Sequence, residues 1–142
     1  MGGGALRRRL TLGMAVAGAL VLAACVIEPA PQSMDFSAFT QSDRARIVDT
    51  DRNSRVDARE VTDPAQVAAL YRAVADRPDG WHRPWPGSPQ VRWQVTFSRA
   101  GREVGGYGVG ANFIAYDGFV RNLAGSDLRS VLALVQARLP AP

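Results

Sequence analysis

The 142-residue chain contains one cysteine, one histidine and no lysine; all 17 of its basic residues are arginine. A single cysteine excludes an intramolecular disulfide framework and any Cys-rich zinc site. A single histidine, His82, leaves no second imidazole to share a metal with it. The Gly-x-Ser-x-Gly elbow of an esterase-type nucleophile is missing. Gly105, Gly106, Gly108 and Gly110 crowd one stretch, but no Lys-Ser/Thr follows them and no strand-to-helix context surrounds them. A phosphate loop is therefore not expected; a strand kinked by glycine, or one passing under an aromatic ring, is. No spacing marks a catalytic pair of carboxylates.

The charge balance points the other way at first. The net charge is +4 and the isoelectric point is near 10.2, values that suit a nucleic-acid or acidic-membrane partner. Three of the arginines, Arg7, Arg8 and Arg9, stand together near the start, followed by 15 uncharged residues from Leu10 to Ala24. As a helix that run would span roughly 22 Å, short of the roughly 30 Å hydrocarbon core. A basic start, a short apolar run and small residues at its end describe a secretory signal over residues 1–24.

The end of that run is more specific. Leu22-Ala23-Ala24-Cys25 resembles the lipobox of bacterial lipoproteins. The resemblance implies cleavage before Cys25, acylation of its sulfur and of the new N-terminus, and attachment to a membrane through those acyl chains. Several buried chains hold a protein far better than one. Val26, rather than Asp, follows the cysteine; by analogy with enterobacterial lipoproteins this implies the periplasmic face of the outer membrane. Removing Arg7, Arg8 and Arg9 leaves 14 arginines against 13 acidic residues. The mature chain has no basic run, and nucleic-acid binding is not expected.

Residues 25–42 contain Pro29, Pro31, Gln32 and several serines and read as a lipidated tether, with Phe36 and Phe39 able to form one docked turn. A single domain is expected over 43–139. Asp63 before Pro64, with Gln66 three residues after the cap, predicts a helix start. Val67, Leu70, Tyr71 and Val74 then form one apolar stripe. A second helix is predicted from a Ser126 cap, with Leu128, Val131, Leu132, Val135 and Leu139 on one face. Val91, Trp93, Val95 and Phe97 alternate with polar residues as a half-buried strand does. A hairpin loop over 98–102, a return strand over 104–109, and a 111–116/119–123 hairpin about Asp117-Gly118 complete a meander. Residues 44–49 and 55–62 are expected to pair. The fold class is α+β: an antiparallel sheet, N-terminal hairpin plus meander, with two helices on one face.

Three pieces, Val61 to Leu70, Asp79-Gly80-Trp81 with Pro84-Trp85, and Val104 to Gly110, resemble recurrent segments of small proteobacterial lipoproteins of unknown function. The resemblance implies one α+β domain on a lipid anchor and carries no activity.

Two constellations remain. Asp49, Asp51, Asn53, Arg55, Asp57 and Glu60 resemble the ligand positions of an EF-hand calcium loop, with Arg55 giving a backbone carbonyl. Ser54 replaces the turn glycine, and Pro64 would fall inside the exiting helix. The competing reading is a polar β-hairpin turn. Trp81 and Trp85, among prolines, form a candidate platform for an envelope protein or glycan, against the reading that both are core. The chain is thus expected to be a non-enzymatic, lipid-anchored interaction or structural module without a cofactor. A calcium-binding lipoprotein and an envelope hydrolase stand as alternatives.

Overall fold

A computed structural model describes residues 30–50, 57–84, 87 and 89–137. The elements run β1 (Arg44–Asp49), β2 (Asp57–Val61), α1 (Pro64–Ala75), β3 (Trp93–Arg99), β4 (Arg102–Val109), β5 (Phe113–Tyr116), β6 (Phe119–Asn122) and α2 (Gly125–Gln136). The strands form one antiparallel sheet in the order β2-β1-β3-β4-β5-β6. The architecture is α+β, as the sequence pattern predicts. β2 and β3 flank β1, so α1 carries the chain over the sheet between them.

The period-two alternation decides which face is covered. Trp93, Val95 and Phe97 are buried, and their cross-strand partners Ala45, Ile47, Tyr107 and Val109 share that face. The stripe Val67, Leu70 and Val74 of α1 and the pair Val131 and Val135 of α2 complete one core with them. Contacts cross this face at both ends: the Tyr107 hydroxyl donates to the Leu70 carbonyl of α1 at 2.9 Å, and the Arg59 guanidinium of β2 donates to the Leu134 carbonyl of α2 at 3.0 Å.

Local chemistry explains most boundaries. Asp63 caps α1 by accepting from the Ala65 amide at 2.8 Å, and Pro64 occupies the first turn, where no amide is needed. α2 differs from expectation: it begins at Gly125, its cap position is Ala124, and no side chain caps it. Ser126 lies inside the first turn instead, and its carbonyl accepts from the Ser130 hydroxyl at 2.8 Å. The β3–β4 and β5–β6 turns place two residues each at positive φ, Ala100 with Gly101 and Asp117 with Gly118. That is the twist-matched pattern of two-residue hairpins. The 98–102 loop is therefore shorter than its sequence suggests, because Arg99 and Arg102 already pair.

The glycine-rich strand β4 carries a bulge. Ser98 pairs with Glu103 but Phe97 pairs with Gly105, so Val104 is the extra residue. Gly105 has φ +138°, and a Cβ there would lie 2.8 Å from the Phe39 ring. The absence of a side chain lets that ring lie over the strand.

The N-terminal boundary also moves. Phe36 and Phe39 are core residues, Ser37–Phe39 forms a 3-10 turn, and Phe39 stacks on Phe97 at 4.8 Å between centroids. Gln32 pairs with Trp81 through two backbone hydrogen bonds, of 2.6 and 3.2 Å, and the Met34 amide donates to Pro78 at 2.8 Å. The folded unit thus already includes residues 32–39, ahead of the expected 43, because two phenylalanines have apolar surface to bury.

Candidate functional site

The acidic segment 49–60 was the strongest chemical candidate. Asp49 ends β1 and Asp57 begins β2, and the two stand opposite each other in the ladder. Asp51, Asn53 and Arg55 lie outside the described residues. Strands, not helices, flank the loop, so the helix-loop-helix frame of an EF-hand is not formed. The register separates the two end positions further. Asp49 pairs with Trp93 on the covered side of the sheet, whereas Glu60 pairs with Arg46 on the other. Successive residues of a strand point to opposite faces. The first and twelfth positions of the motif therefore diverge, where an EF-hand brings them onto one ion. Each also has a cation nearby: Arg92 Nε lies 3.6 Å from Asp49 Oδ1, and Arg44 Nε lies 3.9 Å from Glu60 Oε2. Among the described residues no three His, Cys, Asp or Glu side chains gather as a metal would need.

The aromatic candidate is corrected by burial. Trp81 is 0 % exposed, so its ring offers no platform to a sugar or peptide. Its indole N–H donates to the Arg77 carbonyl at 2.8 Å, and its ring meets Phe36 at 5.4 Å and Tyr116 at 6.4 Å. A ring that large, in a domain without a disulfide, is worth more inside than on the surface. Trp85 lies outside the described residues. His82 pairs with Val120 and covers the β6 edge of the sheet.

One polar cluster has no sequence signal. Arg77, two residues past the end of α1, donates to the Ala73 carbonyl and to Asp127 Oδ1, each at 2.9 Å. Arg121 Nη1 lies 4.0 Å from the other oxygen of Asp127. The Arg77 hydrogen bond, then the charges of Arg77 and Arg121, hold the Asp127 carboxyl below its ordinary range. A carboxylate so held is a poor proton acceptor near neutral pH. The cluster's evident work is to tie α2 to the segment after α1 and to β6. Fifty residues separate Arg77 from Asp127, and no motif spans that gap. Tyr107, on the covered face of β4, is titratable and fully buried; burial pushes its phenol well above the ordinary value of 10.

Cys25 and the run before it lie outside the described residues. Among the described residues no helix is long and apolar enough to cross a membrane. Compared with protein-family profiles, characterised proteins and solved structures, the chain finds no match.

Proposed function

We propose that the protein is a lipid-anchored component of the bacterial cell envelope that acts as a non-enzymatic interaction or structural module. The observation that carries this reading is the ordered N-terminal sequence: Arg7-Arg8-Arg9, an apolar run, then Leu22-Ala23-Ala24-Cys25. Each part has a step to serve. The cations hold the start of the chain at an anionic leaflet, the run enters the bilayer without being long enough to anchor there, and the small residues admit a peptidase to the bond before the thiol. The acyl chains then replace the lost segment as the membrane attachment. The periplasmic face of the outer membrane is the proposed site, on the strength of Val26 after the cysteine.

The domain's chemistry fits a module that binds or braces rather than reacts. The one histidine is engaged in covering a sheet edge, and Asp127 is bound to Arg77. The partner class is an envelope protein or glycan. A calcium site at the tip of the β1–β2 hairpin has weaker support, because the flanking strands send Asp49 and Glu60 to opposite faces.

Cell fractionation tests the anchor. The wild-type chain is expected with the membrane fraction in its processed length. Cys25→Ser is expected to accumulate as unprocessed precursor, since the thiol that is modified before cleavage is gone. Processing that continues unchanged in Cys25→Ser would refute lipidation.

A further inference from the structure

Only six residues, 26–31, separate Cys25 from Gln32. At Gln32 the chain is already locked to the domain by its two hydrogen bonds with Trp81, and Met34 and Phe36 follow it onto the core. We propose that this shortness makes the lipid bilayer a surface against which the domain is held in one orientation: the β6 edge, with Asp79, His82 and Arg83, faces the lipid, and the β2 edge faces away. The inference rests on lipidation of Cys25.

Lengths decide it. Seven Cα steps from Cys25 to Gln32 reach about 25 Å at most, fully extended. The sheet alone is five strand spacings wide, about 24 Å, and the helices add to the bulk. To turn over, the domain would have to hold its attachment point at least a sheet's width from the membrane, which takes the tether's full reach and all of its conformational freedom. The attachment point fixes which side stays down. Trp81 is bridged to Gln32, His82 is bridged to Val120 of β6, and the Arg83 guanidinium lies 5.0 Å over the Phe119 ring of the same strand. β2 is the strand at the other end of the order. A tether of the length expected from sequence alone, reaching to residue 42, would have left the domain free to face either way. Burial of Phe36 and Phe39 removes most of it.

Fluorescence transfer to the membrane tests this. The acylated full-length chain has no other thiol than Cys25, so a single added cysteine takes a dye selectively. Arg83→Cys reports the β6 edge and Ala58→Cys the β2 edge; both positions are exposed. Asp79→Cys replaces Arg83→Cys if loss of the contact with Phe119 lowers the melting temperature. The proteins are reconstituted in phosphatidylethanolamine/phosphatidylglycerol vesicles carrying a headgroup-linked acceptor. The dye near the β6 edge is expected to lose most of its emission and the dye on β2 to keep most of it. A long Gly/Ser insertion between Ala30 and Pro31 is expected to erase the difference. Equal transfer at the two positions in acylated protein overturns the orientation, and a difference that survives the insertion overturns tether length as its cause. Absence of acyl groups from the purified wild-type protein, read from its mass, overturns the anchor and the orientation with it.

Discussion

Of the two readings that the sequence leaves for Trp81, platform and core, the structure takes the core, and the reason is the company it keeps. Its neighbours in sequence, Asp79, Gly80, His82, Arg83 and Pro84, suggest an exposed loop. Its neighbours in space are Phe36 and Tyr116, one from a segment whose role the sequence does not fix. Trp81→Ala is expected to cost about 3–5 kcal/mol, the range for emptying a buried aromatic site. Urea unfolding monitored by circular dichroism measures it; a loss within experimental error would return Trp81 to the surface. Tyr107 gives a second test at this scale. The folded chain holds the phenolic proton more tightly than the unfolded chain does, because burial disfavours the anion. The stability this brings is fully present below the unfolded value near 10 and is lost as pH rises toward the folded one. With no lysine in the chain, the tyrosines dominate that pH range. Tyr107→Phe is expected to lose about 1 kcal/mol at neutral pH, from the hydrogen bond to Leu70, and to lose less than wild type above pH 10. Denaturant melts at the two pH values compare them; a parallel alkaline loss in both proteins would show that Tyr107 does not drive it.

At the scale of elements, most of the fold is legible in the chain because the signals are local. The alternation Trp93, Val95, Phe97 marks β3, and Asp117-Gly118 marks its turn with two positive φ angles. The Asp63-Pro64 start of α1 is read correctly because cap and proline act within one turn. Ser126 shows where such reading stops. A serine before an apolar stripe is the usual signature of a cap, but the chain leaves β6 through Leu123 into the core and turns at Gly125, with φ +55°. The helix therefore starts two residues early and leaves Ser126 inside it. The two helices are expected to respond differently: Asp63→Ala should cost about 1 kcal/mol, whereas Ser126→Ala should cost a few tenths at most. Thermal melts of the two variants decide this, and equal losses would contradict the assigned caps. The acidic hairpin is a similar case. Motif spacing names six positions, but strand alternation, which the motif ignores, sends Asp49 and Glu60 apart. Calcium at millimolar concentration is expected to leave the melting temperature of the domain unchanged. A saturable upward shift, abolished by Asp49→Ala, would overturn the plain hairpin reading.

At the scale of the whole molecule, two parts of the chain tell different stories. The basic isoelectric point belongs largely to Arg7, Arg8 and Arg9, whose proposed work is finished once the signal is cleaved. The folded part is close to neutral, and three of its arginines, Arg77, Arg59 and Arg121, donate to oxygens of Asp127, Leu134 and Asp79. The proposed address was legible because the signal-like run and the lipobox-like tetrapeptide are contiguous in sequence. The tether length was not, because it depends on whether Phe36 and Phe39 find a site, and that site is assembled from Gly105, Phe97, Tyr116 and Trp81. Any partner surface would be assembled in the same non-local way. The central claim, a lipid anchor on Cys25, is tested most directly by the intact mass of the protein extracted from membranes. The predicted result is a chain beginning at Cys25, heavier than residues 25–142 by the mass of its acyl groups. A chain that retains residues 1–24, or one whose Cys25 carries no lipid, would contradict it.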